Sequence, residues 1–231
     1  MSEQQIEQKI KCVGIIMDGN RRFARAHNKP FYEGHNEGYK KLQEVVTWTK
    51  DAGIRHLIVY AFSTENWQRT EEEIGYLMKL FRFILEKEAK KMIDEKVHVR
   101  FVGDRTRFSE DMQKGMEKIE ADTSKDFDIT LYIAVSYGGR AEILSATNAL
   151  LKEGVSEVTG EEFSKYLWTY PMPDPDILIR TGGEKRLSGF LPWQTIYSEL
   201  YFTDSWWPEF QEEEFRKILE NFNSRERRLG K

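Results

Sequence analysis

Short apolar runs rich in β-branched and aromatic residues alternate along the chain with longer segments in which apolar residues recur every three or four positions. The short runs predict six strands, at residues 12–17, 56–62, 97–102, 129–135, 176–179 and 200–202. The longer segments predict helices at about 35–51, 71–95, 109–121, 140–152, 160–168 and 211–223. Because parallel neighbouring strands need crossover connections, this order predicts an α/β fold: a mostly parallel six-stranded sheet flanked by helices.

Composition and charge narrow the class of protein. The 231 residues are 39% hydrophobic and 32% charged, and no repeat, low-complexity tract or linker divides them, so we predict one domain over 1–231. We expect residues 1–10 to form a flexible N-terminal segment. The 35 Lys and Arg residues against 39 Asp and Glu residues give a net charge of −4, which argues against a general nucleic-acid binder.

Cysteine usage and hydropathy indicate the compartment. Cys12 is the only cysteine, which excludes an intrachain disulfide and a multi-cysteine metal site and fits a reducing compartment. The N-terminal residues contain no apolar signal segment, and no later stretch approaches the ~18 uninterrupted apolar residues of a spanning helix. We therefore expect a cytoplasmic protein that neither crosses a membrane nor is exported by this route.

Polar segments follow four of the predicted strands. They are Asp-Gly-Asn-Arg-Arg at 18–22, Ser-Thr-Glu-Asn-Trp-Gln-Arg at 63–69, Ser-Tyr-Gly-Gly-Arg at 136–140 and Arg-Thr-Gly-Gly-Glu at 180–184. Ligands of open parallel sheets collect outside the carboxyl ends of the strands. Glycines, small hydroxyls and guanidinium groups at this rim favour binding of a phosphate or diphosphate. The alternative is that these are four ordinary surface turns.

Asp18 stands at the end of an apolar strand and just before an apparent helix start, so two roles are open to it. It could be an N-cap. That role leaves Arg21, Arg22 and Arg25 unexplained, because cations at a helix N-terminus oppose its dipole unless an anion binds there. Asp18 could instead hold Mg²⁺ that bridges phosphate oxygens.

Several common motifs are missing from the sequence. There is no G-x-x-x-x-G-K-[ST], G-x-G-x-x-G or H-E-x-x-H, which excludes the P-loop, dinucleotide-binding and zinc-protease motifs. There is also no DDxxD pair on a helix, the metal-binding device of the all-helical isoprenyl synthases. Asp174 and Asp176 are preceded by Pro173 and Pro175, which predicts a turn before a strand.

Several blocks occur in a fixed order over nearly the whole chain. They are Ile-Met-Asp-Gly-Asn-Arg-Arg-Phe-Ala at 16–24, Gly-His at 34–35, Tyr-Ala-Phe-Ser-Thr-Glu-Asn-Trp at 60–67, Arg-Thr-Gly-Gly-Glu-Lys-Arg-Leu-Ser at 180–188, Trp-Gln at 193–194, Tyr-Ser-Glu-Leu-Tyr-Phe at 197–202 and Arg-Glu-Arg-Arg-Leu-Gly at 225–230. Together they resemble the cis-prenyltransferases, that is, the undecaprenyl and dehydrodolichyl diphosphate synthases. One block alone is weak evidence of a resemblance, but all of the blocks in this order are highly specific for this family.

The resemblance implies a reaction and a set of partners. Isopentenyl diphosphate would be added repeatedly, with Mg²⁺, to an allylic prenyl diphosphate such as farnesyl or geranylgeranyl diphosphate. Each new double bond would be cis, and the product would be a Z-polyprenyl diphosphate for lipid glycosyl carriers. The fold would enclose a hydrophobic tunnel for the growing chain.

The resemblance also implies roles for individual residues. Asp18 would be the central catalytic acid, in contact with Mg²⁺ and the allylic diphosphate, and Glu199 the second metal-associated carboxylate. Asn66 would be the other catalytic position; because a neutral amide is a poor base, we interpret it as a positioning residue. The implied substrate-binding residues are Gly19, Asn20, Arg21, Arg22, Phe23, Phe31, His35, Ser63, Thr64, Glu65, Trp67, Arg69, Arg180, Arg186, Leu187 and Ser188.

The roles of three of these residues are left open by the sequence. His35 could be a hydrogen-bonded structural histidine or a proton relay, since its ring is neutral near physiological pH. Trp67 could pack in the core or form a substrate wall. Phe31 stands where many relatives have a basic residue, which leaves one phosphate contact open.

Helix 71–95 carries a broad apolar stripe: Ile74, Leu77, Met78, Phe81, Ile84, Leu85, Met92 and Ile93. Such a stripe is core by default, whereas the resemblance implies a wall of the tunnel. The inward-facing residue among Phe81, Phe83 and Ile133 is not decided by the pattern.

The basic C-terminal run, residues 224–231, would ordinarily be a solvated tail. In the resemblance, Arg228-Leu229-Gly230 reaches the active site of a second subunit, which implies a homodimer with residues 197–207 near the interface. Peripheral membrane contact would serve product release. The rival hypotheses are a catalytically silent partner subunit of a heteromeric cis-prenyltransferase and a phosphoester hydrolase that uses Asp18 as nucleophile.

Overall fold

Six strands form one sheet in the computed structural model, which describes residues 10–225. The strands are β1 (Cys12–Ile16), β2 (His56–Ser63), β3 (Val97–Val102), β4 (Ile129–Tyr137), β5 (Ile177–Arg180) and β6 (Glu199–Phe202). Their order is β3-β4-β2-β1-β5-β6, and every neighbouring pair is parallel. The predicted α/β class and the six strands are confirmed.

Eight α-helices connect and cover these strands within the described residues. They are α1 (Asn20–Ala26), α2 (Phe31–Asp51), α3 (Glu71–Lys87), α4 (Ala89–Asp94), α5 (Glu110–Asp122), α6 (Gly139–Lys152), α7 (Gly160–Ser164) and α8 (Glu212–Ser224). Short 3₁₀ turns lie at Thr64–Gln68, Arg105–Arg107 and Trp207–Glu209. Within residues 10–225, no helix combines the length and apolar character needed to cross a membrane.

Three predicted helices have different bounds in the structure. Helix α2 begins at Phe31 instead of 35, because Pro30 is its N-cap and the following residues continue the helix. The helix predicted over 71–95 is interrupted at Glu88, which ends α3 and precedes α4. The helix predicted over 160–168 ends at Ser164, where the amides of 165–167 bond to carbonyls three residues back and so tighten the chain into turns.

The sheet is buried on both faces. Strands β1, β4 and β5 are buried along their full length, as is typical of parallel strands covered by helices. On one face, Val13 and Ile15 belong to a core completed by residues of α2, α5 and α8. On the other face, Cys12 and Ile16 pack with Tyr132 and Phe190. This alternation follows from the two-residue period of a strand.

Two glycines of α2 allow α1 to lie directly against it. A Cβ atom on Gly34 would be 2.1 Å from the carbonyl oxygen of Asn20, and one on Gly38 would be 2.4 Å from Asn20 Oδ1. A side chain at either position would therefore push α1 away from α2. The close packing places the first residues of α1 over the carboxyl end of the sheet.

Candidate active site

Asp18 is held beside β5 by hydrogen bonds that extend past the end of β1. Its amide donates to Thr181 Oγ1 at 3.0 Å, and the same hydroxyl donates to the Asp18 carbonyl at 2.8 Å. Thr181 follows Arg180, the last residue of β5, which pairs with Ile16 of β1. The register of the two central strands thus brings Asp18 and Arg180 together.

The Asp18 carboxylate forms ion pairs with two guanidinium groups, and the one with Arg180 is also a hydrogen bond. Arg180 Nη2 lies 2.9 Å from Oδ2, and Arg22 Nη2 lies 3.0 Å from Oδ1. Burial by itself would raise the pKa of Asp18, but the hydrogen bond from Arg180 and the charge of Arg22 outweigh it, and the pKa lies below its usual value. Asp18 is therefore ionised at neutral pH, which suits an anionic oxygen ligand and not a proton donor.

Arg180 links Asp18 to the loop that follows β5. Its side chain is only 5% exposed, and its Nη1 group donates to Ser188 Oγ at 2.9 Å and to the Arg186 carbonyl. The Arg186 guanidinium itself pairs with Glu184 and is mostly exposed, while Leu187 packs against the second face of the core. The structure thus brings Arg180 and Ser188 into contact with each other, with Arg186 on the same loop.

A second charged cluster surrounds Glu73, a buried residue in the first turn of α3. Arg69 Nη1 lies 2.8 Å from its carboxylate, and Arg21 Nη1 lies 3.3 Å from it. His35 Nε2 is 3.6 Å away, which is too long for a hydrogen bond. Burial, together with the charge of Arg69, lowers the pKa of His35 to about 4, so its ring is neutral at physiological pH.

An apolar cavity opens beside these clusters, between α2, α3 and the sheet. Its empty volume is about 1130 Å³, counting the solvent at its mouth. Met17 and Asn20, which flank Asp18 closely in the sequence, line the mouth together with His35. Asn20 Oδ1 and His35 Nε2 are buried there without a hydrogen-bond partner among the described residues. This cavity, called the tunnel below, has the apolar lining that the resemblance implies.

Helix α3 supplies much of the tunnel wall. Of the predicted apolar stripe, Leu77, Met78, Phe81, Ile84 and Met92 line the cavity. Leu85 belongs to the core instead, and Ile93 is exposed. Phe81 and Ile133 face the cavity, whereas Phe83 is 49% exposed, which answers the question that periodicity left open.

Comparison with known proteins identifies the family of this fold and site. Residues 16–230 match the prenyltransferase family model of undecaprenyl diphosphate synthases. The chain belongs to this family.

Two curated relatives and one solved structure extend the comparison. The isoprenyl transferase of Fusobacterium nucleatum is 46% identical over 220 residues, 95% of each chain. The geranylgeranyl-diphosphate-specific tritrans,polycis-undecaprenyl-diphosphate synthase of Pyrococcus horikoshii is 44% identical over 246 residues, covering 99% of this chain and 92% of that one. The crystal structure of lavandulyl diphosphate synthase from Lavandula x intermedia, in complex with dimethylallyl diphosphate, is 28% identical with a TM-score of 0.91, covering 97% of this chain and 100% of that chain. The predicted family is confirmed.

The family residues that follow β2 form a self-contained 3₁₀ turn. Asn66 Oδ1 accepts from the Ser63 amide at 3.0 Å, and the Ser63 side chain accepts from the Asn66 amide in return. Thr64 is half-buried and Glu65 is exposed in the same turn. The Asn66 side chain therefore fixes the shape of the turn, which agrees with a positioning role.

Trp67, in the same turn, packs against the core. Its indole Nε1 donates to Ser136 Oγ at 3.0 Å, and its ring meets Phe62 and Phe108 edge to face at centroid distances of 4.9 and 5.5 Å. Of the two roles left open by the sequence, these contacts favour packing.

Aromatic rings occupy two further family positions near the mouth. Phe31 meets Tyr76 of α3 edge to face, with centroids 6.0 Å apart, and lies 6.4 Å from the His35 ring. Phe23 packs on His27, the residue that caps the carboxyl end of α1. Gly19, the N-cap of α1, has a φ of +112°, a value that favours glycine.

Glu199 is not close to Asp18 within one chain. It pairs with Ile177 at the amino end of β6, whereas Asp18 follows the carboxyl end of β1. Its carboxylate accepts from the Tyr201 hydroxyl at 2.9 Å and from Arg225 Nη1 at 3.1 Å. Among residues 10–225, no three His, Cys, Asp or Glu side chains form a cluster that could hold a metal ion. The role of Glu199 as a metal ligand stays a prediction.

Glu73 is the site residue that the sequence analysis missed. Glu73 lies three residues after Thr70, whose Oγ1 accepts from the Glu73 amide. This spacing is typical of a helix start, so the sequence gives no sign of a further role. Two predicted segments fall outside the described residues: 1–9 of the N-terminal segment and the Arg-Leu-Gly element at 228–230.

Proposed function

We propose that the chain condenses isopentenyl diphosphate repeatedly onto an allylic prenyl diphosphate, farnesyl or geranylgeranyl diphosphate, to give a Z-polyprenyl diphosphate for lipid glycosyl carriers. One observation carries the proposal: a tunnel lined mostly by apolar side chains opens beside a cluster of arginines. A prenyl diphosphate has the same division, with a multiply charged head and a hydrocarbon tail. The solved relative that holds dimethylallyl diphosphate supports this choice of ligand.

The arginines supply the electrostatic part of the reaction. Departure of diphosphate from the allylic carbon places negative charge on the leaving oxygens, and donors that are already oriented stabilise that charge at little cost in reorganisation. Asp18 orients Arg22 and Arg180 through the two ion pairs described above. Arg180 Nε is buried without a hydrogen-bond partner in the described part of the chain, so it retains a donor for a substrate oxygen.

Asp18 also fits a Mg²⁺ ion. Its carboxylate is ionised and 30% exposed, and Mg²⁺ is commonly held by one or two carboxylates while substrate phosphates and water complete its shell. When bound, the ion would neutralise charge on the diphosphate oxygens. Asp18 alone suffices for this arrangement, which matters because Glu199 lies at the other end of the strands.

Neutral groups at the mouth complete the pocket for the reacting carbons. His35 is uncharged because of its low pKa, so it does not compete with the arginines for the diphosphate. Asn66 holds the turn that carries Ser63 and Trp67. We assign both residues to positioning, because neither is a strong base in this state.

We also propose that the enzyme is a cytoplasmic homodimer with peripheral membrane contact for product release. Strand β6 is an edge of the sheet, and an edge strand presents backbone groups that a partner can cover. Beside it, Ile196 and Tyr197 are 70% and 73% exposed, and Leu200 is 43% exposed. These side chains support an interface at 197–207.

The test is incubation of the purified chain with labelled isopentenyl diphosphate, farnesyl or geranylgeranyl diphosphate, and Mg²⁺, followed by sizing of the extracted products. We expect products longer than the starter, and no elongation by Asp18→Ala at unchanged circular dichroism. A chain that binds both substrates but forms no product would be a catalytically silent subunit. Release of phosphate without a second substrate would indicate a hydrolase, and full activity of Asp18→Ala would refute the role of Asp18.

A further inference from the structure

Five polar residues interrupt the otherwise apolar lining of the tunnel away from its mouth: Tyr39, Gln43, Glu88, Lys91 and Glu95. Both helical walls run from the carboxyl end of the sheet toward its amino end. On α2, Gln43 lies eight residues after His35 at the mouth, roughly 12 Å along the helix. Val97, the first residue of β3, lines the same end of the cavity. The polar residues therefore lie in the deep half of the tunnel.

Hydrogen bonds join three of these residues, one along α2 and one from α2 to the residue that follows α3. Gln43 Nε2 lies 2.9 Å from the Tyr39 hydroxyl and 3.2 Å from Glu88 Oε2. Glu88 is the residue between α3 and α4, so its carboxylate connects the second wall to the first. All three side chains are half-buried. Burial and the neighbouring Glu88 raise the pKa of the Tyr39 hydroxyl, so it stays protonated.

The interruption of the helix at Glu88 puts a polar residue into the tunnel wall. The apolar stripe of α3 continues in α4 as Met92, which also lines the cavity. Glu88 is thus a carboxylate within a run of wall residues that are otherwise mostly apolar. A carboxyl group at such a place is stabilised by its hydrogen bond to Gln43, and it would lose that bond if the two walls were separated.

We propose that Tyr39, Gln43 and Glu88 form a polar bar across the tunnel that stops the growing hydrocarbon and so sets the length of the product. The inference rests on the proposed function. An isoprenoid tail carries no hydrogen-bonding group, so a tail that passes between Gln43 and Glu88 would leave an amide and a carboxylate without partners in apolar surroundings. The stop is thus one of polarity and not of bulk.

The residues beyond the bar agree with this assignment. Lys91 and Glu95 lie 4.0 Å apart, with 45% and 44% of their side chains exposed, and both line the deep end of the cavity. A tail that passed the bar would meet charged groups and solvent instead of apolar contacts. The hydrocarbon therefore gains less by extension beyond the bar than within the apolar part of the tunnel.

Substitutions that keep volume but remove polarity test the inference. Gln43→Leu and Glu88→Met, singly and together, are assayed for product length with the labelled substrates described above. We expect the main product to lengthen by one or more isoprene units, most in the double variant, while the rate of the first condensation stays within about twofold. Tyr39→Phe removes a single hydroxyl and is expected to give a smaller shift in the same direction.

Two matched variants separate polarity from a general effect on the helix. Glu86→Met makes the same chemical change on α3 at an exposed position outside the tunnel, and it should leave the product unchanged. Ile84→Gln places a polar group one turn nearer the mouth and should shorten the product. Thermal unfolding of each variant monitors the fold.

The outcomes are distinct. Unchanged or shorter products from Gln43→Leu, Glu88→Met and Tyr39→Phe would overturn the polar bar, as would equal lengthening by Glu86→Met. Absence of any elongation by the unsubstituted chain would refute the proposed function itself and would remove the basis of this inference with it.

Discussion

The mouth of the tunnel and its interior are held in shape by different kinds of interaction. At the mouth, Asp18 is paired with Arg22 and Arg180. Charged contacts of this kind are favourable only within a narrow range of distances and angles. In the interior, most wall residues are aliphatic or aromatic, and their contacts are non-directional. An exchange of one apolar side chain for another of similar volume costs little, whereas a displaced charge loses its partners. We therefore expect the mouth to determine whether the reaction occurs and the interior to determine how far it proceeds.

The largest effect is expected for Arg180→Lys. A lysine keeps the charge, but its single ammonium group cannot reproduce the fork that contacts Asp18, Ser188 and the Arg186 carbonyl. We expect kcat/KM to fall about a hundredfold, the scale for losing one oriented donor. Initial rates with each substrate varied in turn measure the loss.

Arg216→Lys is the matched control for this change. Arg216 also pairs with a carboxylate, that of Glu212, but the pair is on the surface of α8 and the guanidinium is 64% exposed. Exposed ion pairs contribute little to stability, so the kcat/KM of the Arg216→Lys variant should be unchanged. If the two variants lost activity equally, the special role of the mouth would be wrong.

Gly34→Ala is expected to have the next largest effect, because it moves the mouth without altering any charged residue. The new methyl group would lie 2.1 Å from the Asn20 carbonyl, so α1 must shift away from α2 and take Arg22 with it. We expect a loss of about 2 kcal/mol in the free energy of unfolding, together with a fall in kcat. Urea denaturation and steady-state kinetics measure the two effects.

Gly75→Ala is the matched control for Gly34→Ala, because it adds the same methyl group where no atom is close. Gly75 lies in α3, and a Cβ atom there would meet nothing within 4 Å. The substitution should stabilise the protein by up to about 1 kcal/mol through helix propensity alone. A destabilising Gly75→Ala, or a harmless Gly34→Ala, would contradict the close packing described here.

The pH dependence of stability examines the boundary between the two regions, where His35 lies. Its pKa is about 4 in the folded protein and 6.5 for an unperturbed histidine, so below 6.5 the unfolded chain binds a proton that the folded chain does not. Stability is therefore lost as the pH falls from about 6.5 toward 4, by on the order of 3 kcal/mol.

His35→Gln isolates this contribution. The pKa values of His56 and His98 are also lowered by burial, but both residues are present in each protein and cancel in the comparison. Urea denaturation at pH 7 and pH 4.5 should show a shallower loss of stability for the variant. Parallel losses in the two proteins would show that His35 is protonated in the folded state.

Local patterns predicted much of the fold and part of the site. Strand periodicity is a short-range signal, and the rule that ligands collect at the carboxyl ends of parallel strands located Asp18 and Arg180 at one rim. The pattern did not show the break at Glu88, because apolar spacing continues through it and the partner of Glu88, Gln43, is 45 residues away.

Register and long-range partners explain what the sequence could not show. Glu73 pairs with the nearby Arg69 and also gathers Arg21 of α1 and His35 of α2, and nothing local to α3 indicates the two distant partners. The resemblance implies that Glu199 is the second metal-associated carboxylate, but it does not show that the pairing of β5 with β6 places this residue at the opposite end of the strands from Asp18. One residue type in one motif therefore does not fix a position in space; the pairing of the strands does.

The smallest effect is expected for Phe81→Leu, in the middle of the tunnel wall. The Phe81 ring meets those of Phe101 and Phe108 at centroid distances of 5.4 and 5.8 Å, and a leucine retains most of this apolar contact. We expect a loss of about 1 kcal/mol in stability and an unchanged rate of the first condensation. Product length should also stay the same, because polarity deeper in the tunnel, and not this ring, stops the tail. Longer products from Phe81→Leu would show that bulk limits the chain, and a loss of activity as large as that of Arg180→Lys would show that the interior is as exacting as the mouth.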